Sequence, residues 1–238
     1  MLVTDHQTAG RGRQQRTWHD DPGNAMLMSV LLRPPVEVAS LIPLLQGVAV
    51  VEALTELAAS VTARDADGSS GLEPPKFGLK WPNDVLVASS GERKLAGILA
   101  EAVTTQQPEG IAVVLGTGLN LRWSTMPPAD IAARAITLEE VLGGAVDRWE
   151  VVNVVLGALD RWLTVLYQQG ADGLLPEYER RCLTLGRSVA FSTAGTDGGQ
   201  HGTVVRGIGA GIRGDGALRI ATDTGEVVVM AGDAHHVP

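Results

Sequence analysis

Cysteine is nearly absent. Cys182 stands alone in 238 residues, which excludes a disulfide framework and a multi-cysteine metal site. Positive charge is also short. The formal net charge is −8, and an acidic balance argues against non-specific nucleic-acid binding. No apolar run reaches the roughly 18 residues of a membrane span. Polar residues arrive by Thr4 and Asp5, so no signal peptide is visible, and no internal repeat occurs. What remains is a soluble globular class, expected in the cytoplasm with no membrane partner. Lysine is scarcest of the charged residues. Of 19 basic residues, 16 are arginine and three are lysine: Lys76, Lys80 and Lys94. A chain that uses arginine almost everywhere is expected to keep lysine where a compact ammonium is needed. Codon bias explains the count equally well.

Hydrophobic residues make up 45%, enough for one large domain or one domain with a small satellite. Ala25–Leu32 reads as a buried strand before Arg33-Pro34-Pro35. Leu41–Leu57 is too long for a strand and reads as a helix despite Gly47. Residues 64–75 are rich in Asp, Gly, Ser and Pro and predict a surface loop. Short strands are expected near 77–81, 84–88, 95–103 and 111–116, with irregular chain over 124–136 and helix from Leu138. Trp149–Leu166 repeats apolar residues at three- and four-residue spacing, an amphipathic helix, and Leu174–Leu183 predicts another. After Gly186 the pattern shifts to short β-prone runs at 188–192, 202–208, 217–222 and 226–230. Asp197-Gly198-Gly199 and Gly214-Asp215-Gly216 read as turns between them, so the tail predicts a small β-barrel.

Four segments carry chemistry. Gly10-Arg11-Gly12-Arg13-Gln14-Gln15-Arg16-Thr17-Trp18 sets three arginines beside glycines. Glycine lets backbone approach an anion, guanidinium forks match phosphate oxygens, and the indole could cover a base. Alone, the cluster also fits a solvated basic turn. Lys80-Trp81-Pro82-Asn83-Asp84 suits a tight turn before a strand, and the Asn83 amide offers both donor and acceptor to a heterocycle. Lys94 opens the apolar run Lys94-Leu95-Ala96-Gly97-Ile98-Leu99-Ala100-Glu101, either as an exposed strand end or as a charge aimed into a cleft. Gly116-Thr117-Gly118-Leu119-Asn120 is a glycine-spaced strand exit, weak by itself because the rest of a dinucleotide fingerprint is missing.

In this order and spacing, the four segments together resemble the biotin protein ligase family. The resemblance is close over residues 3–122, holds by pattern over 123–183, and holds by character in the tail. It implies an α/β (α+β) fold: a mixed-sheet catalytic domain of the biotin/lipoate protein ligase type over residues 1–184, then a small C-terminal β-barrel domain over 185–238. It implies that biotin is activated with ATP and Mg²⁺ to biotinyl-5′-AMP, then passed to a lysine of the biotin carboxyl carrier domain of a carboxylase. Gln7, Gly10, Arg11 and Gly97 would line the biotin site. Arg13 and Arg16 would hold phosphates and the mixed anhydride, with Arg13 also touching biotin. Trp18, Asn83 and Asn120 would lie near the adenine. Lys94 would be the catalytic lysine, bonding biotin's carboxylate and the α-phosphate, and Asp84 would orient it or approach the magnesium. Residues 10–18 are expected to be a lid, mobile without ligand and ordered over the adenylate.

Two departures from the family pattern stand out. Gln15 replaces a usual glycine in the lid, removing one flexible position. The family's first strand and helix, with a Ser-Thr-Asn turn that helps hold biotin, have no counterpart before Gly10, so a version extended upstream is expected to be more stable and more active. A helix-turn-helix preceding the catalytic domain, found in some members, also has no counterpart, and direct DNA binding is not expected. The glycine-rich signature of lipoate and octanoate ligases is absent.

Overall fold

The computed structural model describes the chain except residues 21, 65–73, 105–110, 126, 193–203, 231 and 237–238. Six strands build the first sheet: β1 (Leu2–Thr4), β2 (Ala25–Leu32), β3 (Phe77–Lys80), β4 (Asp84–Val87), β5 (Arg93–Thr104) and β6 (Ile111–Asn120). Their spatial order is β1-β2-β6-β5-β4-β3. Every pairing between these strands is antiparallel. The mixed sheet expected from the sequence is thus antiparallel in its ladders, because short turns and hairpins join most neighbours and no crossover helix separates β3 from β4 or β4 from β5. Parallel contact occurs as isolated bridges, Leu79 with Cys182 and Lys94 with Ala135.

One face of the sheet is covered by α1 (Ile42–Arg64), and α4 (Arg148–Gln169) packs on α1. The α1 residues Ile42, Leu45, Val48, Ala49, Val50 and Leu54 are fully buried, since sheet and α4 enclose the helix from both sides. The helical run Val36–Ala63 is long and apolar enough to cross a membrane by composition alone, which corrects the expectation that no run reaches that length. Its apolar surface is spent on the core instead. Each Leu or Val so buried contributes about 1.5–3 kcal/mol. Helix α4 starts where Asp147 accepts hydrogen bonds from the backbone of Trp149 (2.6 Å) and Glu150 (3.2 Å), satisfying two amides of the first turn. Two short helices, α2 (Ala129–Ala132) and α3 (Leu138–Leu142), lie in and after the segment expected to be irregular, and α5 (Ala171–Arg181) follows α4.

The tail forms a second antiparallel sheet of β7 (Ser188–Ser192), β8 (Val204–Ile212), β9 (Leu218–Thr222), β10 (Gly225–Val229) and β11 (Asp233–His236). Its order is β10-β9-β8-β7-β11. Among the described residues no pairing joins the two edge strands β10 and β11, so the expected closed barrel is an open sheet here. The expected turn at Asp197-Gly198-Gly199 lies outside the described residues, as does most of the loop at 64–75. Strand β11 had no signal in the sequence reading, because four residues including two histidines carry little β pattern.

Candidate functional site

A cleft of about 540 Å³ opens on the sheet face away from α1. Alternation along the strands decides what lines it. Leu27 and Ser29 on β2, Gly97, Leu99 and Glu101 on β5, and Gly116 and Gly118 on β6 face one way. Gly97 pairs directly with Gly118, so the floor is bare backbone at that point. The Trp18 indole lies on it. A Cβ on Gly118 would sit 2.7 Å from two atoms of that ring, and one on Gly97 would sit 2.9 Å from it. Only glycine allows this approach.

Lys94 reaches the same cleft through an irregularity. The β4–β5 register runs Asp84 with Gly97 and Val85 with Ala96, then slips to Leu86 with Lys94. This bulge leaves Leu95 without a partner and reverses the alternation, so Lys94 projects to the face of Gly97 although the two are three residues apart. Leu95 and Ala96 are both fully buried, which locks the bulge. The Lys94 ammonium stands 2.7 Å from Asp84 Oδ1 and 5.5 Å from the centre of the Trp18 ring. Its backbone is held as well. The Lys94 N–H donates to Arg134 O (2.7 Å), and Lys94 O accepts from the N–H of Ile136 (3.0 Å). Below the pair, burial pushes the Tyr178 phenol well above its usual range, with Cys182 and the Asp84 charge adding to it, so the phenol stays protonated.

Residues 10–18 arch over the cleft as a small hairpin. Trp18 N–H donates to Gly10 O (3.0 Å), and Gly12 N–H donates to Arg16 O (2.7 Å). The turn places Gln14 at φ 53, a left-handed conformation. Arg13 Nη1 donates to Asn83 Oδ1 at 3.3 Å, and Arg11 pairs with Glu101 at 3.0 Å on the exposed rim. The Asn83 amide donates to Ile98 O at 3.0 Å, which fixes its carbonyl toward Arg13.

Of the residues singled out in the sequence, Gln7, Arg11, Arg13, Arg16, Trp18, Asn83, Asp84, Lys94 and Gly97 line this cleft. Gly10 is buried behind it, where an added Cβ would meet Trp18 O at 2.5 Å. Asn120 does not line it. Its amide donates to Ile136 O (3.2 Å) and lies 3.5 Å from Lys94 O, so it supports the lysine's backbone. Trp18, expected near an adenine, lies on the glycine floor. The sequence reading missed Gly116 and Gly118 as floor residues. Their two-residue spacing within a strand was the available signal, since it puts both on one face.

Comparisons with known proteins give the family of the chain. Residues 1–119 match the family model described as the Biotin/lipoate A/B protein ligase family. The biotin–[acetyl-CoA-carboxylase] ligase of Mycobacterium tuberculosis is 33% identical over 240 residues, covering 100% of this chain and 79% of that protein. The bifunctional ligase/repressor BirA of Bacillus subtilis is 28% identical, covering 98% of this chain and 65% of its own length. Among solved structures, the biotin protein ligase from Aquifex aeolicus in complex with biotin and ATP superposes with a TM-score of 0.74 at 28% identity, over 98% of this chain and 87% of that one. Matched by the family model over half its length and by a relative at 33% identity over all of it, this chain belongs to the biotin/lipoate A/B protein ligase family.

Proposed function

We propose that the chain is a biotin protein ligase. It joins the biotin carboxylate to ATP, forming biotinyl-5′-AMP and pyrophosphate, and then transfers the biotinyl group to a lysine of a carboxylase's carrier domain. One observation carries the reading: the β5 bulge delivers Lys94 into the cleft against Asp84, beneath the arginine hairpin. The first step brings a carboxylate oxygen to the α-phosphorus and expels pyrophosphate. Carboxylate and phosphates repel, and a carboxylate is a poor electrophile until activated. The Lys94 ammonium, held by Asp84, offsets that repulsion; at 4 Å and an effective dielectric near 20 a unit charge contributes about 4 kcal/mol. Arg13, aligned by Asn83, and Arg16 supply donors to the phosphate oxygens from above. In the second step the acceptor amine attacks the acyl carbon and AMP leaves. Water would hydrolyse the adenylate, so the hairpin over the cleft keeps solvent out between steps.

Magnesium is implied by the chemistry of ATP. Among the described residues no three His, Cys, Asp or Glu side chains cluster to hold a cation, and Asp84 is engaged by Lys94. The described residues build no resident metal site of three such side chains, and no step above runs through one. The division of the chain at 184/185 into catalytic and C-terminal domains is part of the same proposal. It is supported by the change from the first sheet and its helices to the five-stranded sheet. The test is pyrophosphate release with ATP and biotin, then label transfer to a carrier domain, with lipoate in parallel. Release with biotin alone supports the reading, whereas release with lipoate alone, or with neither, overturns it.

A further inference from the structure

The two sheets meet at Trp81, which is 2% exposed, in the turn that carries Asn83 and Asp84. Its backbone N–H donates to Thr184 Oγ1 at 3.0 Å, its indole Nε1–H donates to Gly216 O at 3.0 Å, and its ring packs against Phe191. Behind Thr184 the hydrogen bonds continue. Thr184 Oγ1 lies 3.3 Å from His236 Nε2, and His236 Nδ1 lies 3.1 Å from Glu92 Oε2, while Oε1 of the same carboxylate pairs with Arg187. One set of protons satisfies the whole row: His236 donates from Nδ1 to Glu92, the Thr184 hydroxyl donates to Nε2, and Trp81 N–H donates to Thr184. The order Thr, His, Glu has the form of a nucleophile, base and orienter. Thr184 is fully buried and lines neither of the two cavities beside the site, so no substrate reaches its oxygen.

Its effect is on the turn. From the first sheet, Asn83 is held to Ile98, by its amide at 3.0 Å and by its carbonyl at 2.9 Å. From the other side Leu183 N–H donates to Leu79 O at 2.7 Å, and Thr184 takes Trp81. The turn is therefore fixed from the first sheet and from residues 183–184, the segment that leads into the second sheet. We propose that Thr184, backed by His236 and Glu92, is a positioning residue for adenylate formation. It fixes residues 81–84 so that Asn83 meets Arg13 and Asp84 meets Lys94. This rests on the ligase reading above.

The test compares Thr184→Val, which keeps the shape and removes the hydroxyl, with Thr184→Ser, which restores it. Two readouts are taken below the melting temperature of each variant. The first is pyrophosphate release, resolved into kcat and KM. The second is acetylation of Lys94 by an N-hydroxysuccinimide ester, mapped by mass spectrometry and normalised to Lys76, which needs no catalysis. In T184V, kcat should fall about tenfold or more, since small misplacements of reacting groups cost up to about 100-fold. KM for biotin should stay within about twofold, and Lys94 labelling should rise several-fold as Asp84 releases it. T184S should match the parent chain in both. If T184V does not fold, His236→Phe, at the partly exposed position behind Thr184, should raise Lys94 labelling in the same way. Unchanged Lys94 labelling in the folded variant overturns the proposal, as does a T184S variant as impaired as T184V. If the parent chain releases no pyrophosphate, the ligase reading fails, while the labelling still decides whether Thr184 holds the turn.

Discussion

Replacing Gly118 by alanine should unseat the arginine hairpin while leaving the fold intact. The new Cβ would stand 2.7 Å from two indole atoms of Trp18. Ordinary contact begins at 3.4 Å, so the ring must lift by about 0.7 Å, a gap that forfeits a quarter to half of the attraction in the contacts it opens. Overpacking of this kind costs about 1–3 kcal/mol. The penalty falls on the seating of Trp18 and not on β6, because Gly118 is not one of the glycines with positive φ and alanine fits its backbone. Alanine also trims the entropy of the unfolded chain, which returns about 0.4–1 kcal/mol. Global stability should therefore change little, and the population of unseated hairpin should rise by roughly 5- to 150-fold, at 1.4 kcal/mol per factor of ten. Limited trypsin digestion under native conditions reads this directly, since Arg11, Arg13 and Arg16 all lie in the hairpin. Cleavage there should accelerate by a similar factor when opening and closing are fast against cleavage. Gly116→Ala is the control: its Cβ would approach nothing nearer than Leu99 O at 3.4 Å, so cleavage should stay near the parent rate. Equal cleavage in Gly118→Ala and the parent, at equal melting temperature, would refute the seating of Trp18 on the glycine floor.

Two further predictions concern charge. Lys94→Ala should abolish adenylate formation with the melting temperature nearly unchanged, and Lys94→Arg should remain poor because a planar fork does not replace a point charge; several kcal/mol at the transition state corresponds to a loss of roughly 1,000-fold in pyrophosphate release, and near-parent turnover in either variant would remove the lysine from the mechanism. His236 should make stability depend on pH near neutrality. Burial lowers its folded pKa below the ordinary 6.5, outweighing Glu92, while Lys80 and Arg187 push the same way as burial. Between the lowered value and 6.5 the unfolded chain binds the extra proton, so stability is complete above about 6.5 and is lost as pH falls through that window. Urea unfolding across this range should show a shallower slope in His236→Phe than in the parent, and identical slopes would contradict the assignment.

The sequence by itself determined more of the site's composition than of its geometry. The strand at Ala25–Leu32 and the helices around 42–64 and 148–169 were legible because burial imposes period and length on apolar residues. The cleft's charged side chains were legible too, since arginine among glycines and a rare lysine carry their chemistry in their own atoms. Three decisions belong to tertiary structure alone. Local alternation would put Lys94 and Gly97 on opposite faces; the slip against β4 puts them together, and a bulge is a property of two strands. Gly-x-Gly at 116–118 is an unremarkable spacing until β5 lays Gly97 against Gly118 and Trp18 settles on both. The third is Thr184, about a hundred residues along the chain from the turn it holds, with nothing in its surroundings to mark it. Its hydrogen bond to Trp81 exists only because two sheets with separate hydrophobic patterns close on one buried indole. Side-chain chemistry is local and can be read in order; register, bulges and contacts between sheets are set by long-range packing, which no stretch of the chain encodes on its own.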